Sequence, residues 1–245
     1  MALSNHGTSG WTRSSKAKLA GVVVLALSAA VWQRVANSAE DATKIPAPAQ
    51  DEKVVATKHS ETAVFAGGCF WGVQGVFEHV RGVRQVASGY SGGSAGTAQY
   101  ETVSGGDTGH AESVQITFDP TQITYGRLLQ IFFSVAHNPT ELDYQGPDHG
   151  TQYRSAIFPM NPEQRTVAQA YIAQLDSAHV FPAKVVTRVE DYKGFYPAEA
   201  YHQNFLVLHP DYPYIVVNDM PKVDYLKKMF PDVWRNDPVL LKASL

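Results

Sequence analysis

Two hydrophobic periods run through this chain. From Glu112 to Phe118 apolar side chains fall at every second position, Val114, Ile116 and Phe118, which predicts a strand with one buried face, stopped by Asp119-Pro120. After Cys69 the spacing changes to three and four, with Trp71, Val73, Val76, Phe77 and Val80 on one stripe, which predicts a helix. Thr62–Ala66 reads as a short buried strand before it, so Cys69 stands where a strand turns into a helix. Further along, Val83–Tyr90 and Tyr153–Phe158 read as strands, and Val185–Val189 as the last of the series. Tyr125–Val135 reads as a helix burying Leu128, Leu129, Ile131, Phe132 and Val135, and Ala136–Gln152 as a loop. Asn161-Pro-Glu-Gln164 opens another helix with an N-cap, a proline at the first position and Gln three residues on. Pro197–Leu208 reads as helical, and Val223, Leu226 and Phe230 predict a short docked helix in an otherwise irregular tail, 219–245. The alternation of strand and helix signals predicts an α+β fold, a two-layer α/β sandwich.

The ends of the chain have a different character. Four of the 20 basic residues, Arg13, Lys16, Lys18 and Arg34, and none of the 23 acidic ones fall in residues 1–39. Arg13, Lys16 and Lys18 precede an apolar run from Leu19 to Trp32, and small residues follow at Ala36, Ser38 and Ala39. That layout predicts a signal peptide, and the run is short of the ~20 residues a helix needs to span a bilayer. Export to a periplasmic or extracellular space is therefore the expectation, with anchoring to the membrane by residues 19–32 as the alternative. Residues 40–60 mix charges with Ile45-Pro-Ala-Pro48 and have no apolar period, so an extended, mobile linker is predicted before a catalytic domain at 61–218. The body that remains is acidic, which argues against nucleic acid as a partner. No heptad run marks an interface, so a monomer is expected.

Cys69 is the only cysteine in 245 residues and cannot form a disulfide within them. At a helix start, unpaired N–H groups and the positive end of the dipole favour an anion, so its thiolate is expected to form more easily than that of a free thiol. Gly67 and Gly68 permit the tight turn and leave the sulfur uncovered. Two chemistries suit such a sulfur. One is acyl transfer, with His110 or His149 as base. The other is redox chemistry, in which the sulfur takes an oxygen and becomes a sulfenic acid. Protonating a sulfoxide oxygen calls for carboxylic acid and hydroxyl donors, and Glu112, Tyr100 and Tyr153 supply that set. An aromatic recess formed by Phe70 and Trp71 suits a methyl-sulfur group. Nine histidines invite a metal, but no metal-ligand spacing occurs among them.

Five motifs in order, GGCFWG around Cys69, GYSGG from Gly89, SGGDTGHAE ending at Glu112, FDP at Phe118 and DHGTQYRSAIF from Asp148, together resemble the peptide methionine sulfoxide reductase A family over about residues 62–210. The resemblance implies a ferredoxin-like core with a mixed sheet, and a reaction on methionine S-sulfoxide that needs no metal or organic cofactor. By the same resemblance, Cys69 is the nucleophile, Glu112 the acid, Tyr100 and Tyr153 the hydroxyl donors, Asp148 a further polar contributor, and Phe70 and Trp71 the methyl pocket. Many members carry further cysteines that resolve the sulfenic acid. With Cys69 alone, the expected reductant is an external thiol, such as thioredoxin, glutaredoxin or a small thiol. A second departure is Asn138, standing where the resemblance leads one to expect Asp.

Overall fold

The computed structural model describes residues 1–2 and 41–242, so the signal or anchor expected at 1–39 lies outside the described residues save for the first two. Chain order runs β1 (Glu61–Gly67), α1 (Phe70–Glu78), β2 (Val83–Ser91), α2 (Tyr100–Val103), β3 (Ala111–Phe118) and α3 (Tyr125–Ile131). Two short paired strands follow, β4 (Tyr144–Gln145) and β5 (Asp148–His149), then β6 (Ser155–Ile157), α4 (Pro162–Ser177), β7 (Arg188–Val189) and β8 (Phe195–Pro197). The chain finishes with α5 (Phe205–Leu208) and α6 (Met220–Met229). Six strands form one mixed sheet in the order β7-β6-β1-β3-β2-β8, in which only the β6–β7 pair is parallel. Its centre, β6-β1-β3-β2 with α1 and α3 as the connections, is the ferredoxin-like arrangement implied by the sequence motifs.

Strand parity decides which side chains meet the helices. Phe65 lies opposite Val114 on β3 and Ile157 on β6, and Ala63 opposite Ile116. These residues enter the main core, where the Phe65 ring packs against Phe77, Tyr125 and Phe132. Burial of each such side chain contributes about 1.5–3 kcal/mol. The alternate positions Val64 and Ala66 join Ala111, Ala156 and Phe158 in a smaller cluster with Phe195 on the other face. Glu112 shares parity with Val114 and Ile116, so the alternation that makes β3 a strand also turns a carboxyl toward the helix layer.

Several boundaries differ from the sequence reading. The helix from Tyr125 is α-helical only to Ile131 and continues as a wider π-type turn over Phe132–Ala136. Val185–Val189 shortens to Arg188–Val189 and is not the last strand, because Phe195–Pro197 pairs with Gly89–Ser91 at the opposite edge. Pro197 thus belongs to a strand, and the helix expected after it is broken into a short turn at Ala200–His202 and α5, with Asn204 in left-handed backbone between them. The helix after Asn161 starts as expected, its side chain accepting from the Gln164 N–H, but the Gln164 side chain accepts from Met160 and donates to Thr62 of β1. The tail is less irregular than expected: α6 docks Val223 and Leu226, with Phe230 buried just beyond it. After it, Arg235 and Val239 donate to the last carbonyls around α1, at His79 and Glu78.

The predicted mobile linker is the larger correction. Residues 43–51 are extended but docked across α3 and α4. Gln130 donates to the Ile45 carbonyl at 3.0 Å, Tyr171 to that of Pro46 at 2.6 Å and Gln174 to that of Ala47 at 2.9 Å. Asp51 accepts from the Gly126 N–H at 2.8 Å, and Ile45 is buried in the main core. A Pro-rich strap whose backbone is satisfied by side chains of distant helices needs no apolar period of its own.

Docking of the strap sets a stability expectation. Ile45→Ala should lower the free energy of unfolding by about 2–3 kcal/mol in urea denaturation with unchanged slope, as for a buried aliphatic truncation. A freely moving linker would show a change within about 0.5 kcal/mol.

Candidate active site

The site is assembled on the turn from β1 into α1. Gly68 has φ +85°, and a Cβ there would lie 2.6 Å from the Cβ of Gln145. Only glycine gives both the left-handed backbone and that approach. Gln145 is held in place by two bonds with the Asn138 backbone, each of 2.9 Å. The Asn138 side chain in turn accepts from the Thr140 N–H and hydroxyl and donates to Glu141 at 3.2 Å. An aspartate would accept the first two but would set a carboxylate against that of Glu141, which gives Asn138 a structural reading. Cys69 follows as the N-cap residue of α1, nearly buried.

Side chains from distant parts of the chain converge on its sulfur. A cavity of about 230 Å³ is lined by Cys69, Phe70, Trp71, Tyr100, Glu112, Asp148, Tyr153, Tyr212 and Tyr214. All seven residues to which the family resemblance gave a role are among them. Glu112 accepts from the Phe70 N–H, the first of α1, at 3.0 Å, so strand β3 and the helix start are fastened through the carboxyl itself. Tyr100 is positioned by Glu199, whose carboxylate accepts from the Tyr100 N–H at 2.9 Å and from the Tyr90 hydroxyl at 3.0 Å. Tyr153 lies in a turn just before β6, where the buried Arg154 forms a bidentate pair with Glu190 and donates to the carbonyls of Gly109 and His110. That guanidinium ties the glycine-rich segment before Glu112 to the segment carrying Tyr153.

The aromatic recess is deeper than Phe70 and Trp71 alone. The Trp71 ring stacks on Phe205 with centroids 3.9 Å apart, and Tyr212 and Tyr214 stand edge-on to it. Its indole N–H donates to Nδ1 of the buried His202 at 3.2 Å, and the His202 ring also touches Phe70 and Tyr100. Tyr214 donates to Asp148. His202 and Phe205 were missed because they lie in a stretch read as one plain helix, and Tyr212 and Tyr214 because residues 209–218 carry no apolar period and were read as no element. The Asp-Tyr-Pro-Tyr run at 211–214 was the available signal.

Electrostatics favour neutral groups. Burial, reinforced by Asp148 and Asp219, raises the Glu112 carboxyl to about 8 against the opposing Phe70 N–H, so it is mostly protonated at neutral pH. Burial and the charge of Glu112 raise the Tyr100 and Tyr153 hydroxyls, which keeps both as donors. Burial also raises Asp148. The expectation for Cys69 is reversed: burial first, then the carboxylates of Asp219, Glu112 and Asp148, push the thiol well above its ordinary value, and the Trp71 amide offsets only part of this. The helix end favours the thiolate, but three carboxyl groups from β3, β5 and the segment before α6 oppose it.

Neither histidine considered as an acyl-transfer base reaches the cavity. His110 is tied by both ring nitrogens to Gly93 and Ser94, and His149 is exposed and stacked on Tyr144. Among the described residues no group of three or more His, Cys, Asp or Glu is arranged to hold a metal.

Comparison with known proteins agrees with the geometry. The family model described as peptide methionine sulfoxide reductase matches residues 61–233. A peptide methionine sulfoxide reductase MsrA 2 of Mesorhizobium japonicum is 62% identical over 194 residues, covering 79% of this chain and 98% of the relative. Another MsrA 2, of Synechocystis, is 53% identical over 190 residues, covering 77% and 89%. Among solved structures, the reduced form of Mxr1 from Saccharomyces cerevisiae superposes with a TM-score of 0.56 at 30% identity, over 65% of this chain and 91% of that one. With its family model matched over most of the folded body and its site residues gathered around one thiol, this chain belongs to the peptide methionine sulfoxide reductase family.

Proposed function

We propose that Cys69 is the nucleophile of the reaction this family catalyses, the thiol-dependent reduction of peptide-bound methionine S-sulfoxide to methionine. The observation that carries the assignment is a buried carboxyl, Glu112, bonded to the first amide of α1 in the same cavity as the only thiol of the chain. The substrate's methyl group packs on Phe70 and Trp71, and its oxygen is held by the Tyr100 and Tyr153 hydroxyls. Glu112 gives its proton to that oxygen as the Cys69 sulfur attacks the sulfoxide sulfur. The oxygen then passes to Cys69: its bond to the substrate sulfur and the transient bond between the two sulfurs break as a new S–O bond forms at Cys69, so methionine leaves as the thioether and Cys69 is left as a sulfenic acid. Two electrons pass from the cysteine sulfur to the substrate sulfur, and the thiol proton makes good the one given by Glu112.

Regeneration falls to an outside thiol, because these 245 residues hold no second cysteine. One external thiol condenses with the sulfenic acid to a mixed disulfide and water, and a second thiolate releases Cys69. A dithiol protein such as thioredoxin or glutaredoxin supplies both sulfurs, and a small thiol supplies them in two encounters. The basic, apolar and small-residue order of residues 1–39 supports export, with oxidised exported proteins as the substrates, or attachment at a membrane through residues 19–32.

The acid role is open to direct test. Glu112→Gln should lower turnover by a factor on the order of 10²–10³, as for loss of one preorganised donor, while Cys69→Ser should abolish it. Full activity in Glu112→Gln would remove Glu112 as the acid. Infrared difference spectra of the reduced protein should show a protonated carboxyl band at pH 7 that disappears as pH rises through about 8 and is absent from Glu112→Gln. A Glu112 carboxyl titrating in the usual carboxylate range would contradict the mechanism.

A further inference from the structure

Asp219, just before α6, acts with Glu112 and Asp148 in pushing the thiol up, yet no sequence motif pointed to it. It has no exposed surface, and among the described residues neither of its oxygens has a hydrogen-bond partner. Its counter-ion is Lys222, one turn on, with Nζ 3.5 Å from Oδ1. The same Oδ1 presses on the first turn of α1: a Cβ built on Gly72 would lie 2.2 Å from it, so glycine is required there for the carboxylate to come so close. Gly72 is the third residue of a nine-residue helix capped by Cys69. Gly72 is three residues on from Cys69, so the carboxylate stands beside the face of α1 that carries the thiol.

We infer that Asp219 is a positioning residue whose buried charge, held against the first turn of α1, opposes ionisation of Cys69 and so holds the resting enzyme in the thiol form. This deepens the reading of Cys69 as nucleophile and rests on it. The charged and titratable groups facing the sulfur are Glu112 from β3, Asp148 from β5, the hydroxyls of Tyr100, Tyr153 and Tyr214, and Asp219 with Lys222 behind it. Of these acids, Glu112 is mostly neutral at pH 7, whereas burial raises Asp219 only to about 6 because Lys222 opposes the rise. Asp219 is therefore charged throughout the range in which the thiol titrates. The functional consequence is selectivity. A neutral thiol reacts slowly with peroxide and electrophiles that meet the empty site, while the sulfoxide brings its own activation through the proton from Glu112.

The test is the pH dependence of Cys69 alkylation by iodoacetamide in the full-length reduced protein, read by mass spectrometry without any sulfoxide. Asp219→Asn keeps the shape and removes the charge. It should move the alkylation midpoint down by about one pH unit, the low end of the effect of a close charge, and speed alkylation about tenfold at pH 7.5. If loss of the Asp219 charge beside buried Lys222 prevents folding, Asp219→Asn/Lys222→Gln removes both charges and should shift the midpoint in the same direction by less. An unmoved or raised midpoint in a folded variant would overturn the role of Asp219, whatever happens to turnover. A lowered midpoint would support it even if the wild type proved inert toward methionine sulfoxide, which would instead refute the reductase reading of Cys69.

Discussion

The chain turns from strand to helix within two residues, Gly68 and Cys69, and left-handed backbone at Gly68 makes that passage. Gln145 fills the space beside it, so the turn is fixed from outside as well as by its own geometry. The rest of the site takes its position from this turn. Cys69 is placed at the start of α1, and the next amide, Phe70, donates to Glu112 across the sheet–helix interface. Because β3 alternates strictly, the two-residue period that buries Val114 and Ile116 also delivers Glu112 to the helix start. The thiol and the Glu112 carboxyl are thus held by the start of α1 and by β3, and the hydroxyls are brought in by segments tied down with Glu199 and Arg154.

The chemistry follows from how little charge this arrangement allows. Carboxyls at 112, 148 and 219 surround one sulfur with little water, and ionising all of them together is unfavourable. Glu112 yields its charge because it has a single N–H partner and deep burial. Asp219 keeps its charge because Lys222 is beside it. A proton donor and a neutral thiol therefore coexist at neutral pH, the pairing a sulfoxide requires and a hydrolase does not. The neutral His202 behind Trp71 serves the recess and takes no part in the proton inventory.

Elements with strong local periods, β1, α1, β2 and β3, were legible from the residues, as was the Asn161 cap. The site residues carried by motifs were legible through family resemblance. What escaped was set by distant partners. The strap at 43–51 is ordered by Gln130, Tyr171 and Gln174, none of them near in sequence, so its own composition reads as a linker. Strand β8 is three residues long and exists because β2 offers an edge. The acidity of Cys69 was misjudged for a similar reason. The helix end is a local feature that sequence reveals, but the opposing carboxyls come from residues 43, 79 and 150 positions away along the chain.

Whether Cys69 takes the oxygen and holds it without an internal partner is the central matter, and one experiment addresses it. Prereduced protein is given a methionine-S-sulfoxide peptide with no recycling thiol, while a sulfenic-acid probe is present. Release of one methionine per protein, together with one probe adduct at Cys69, is the expected result. Methionine release beyond one equivalent, release without an adduct at Cys69, or no release from either sulfoxide epimer would contradict it.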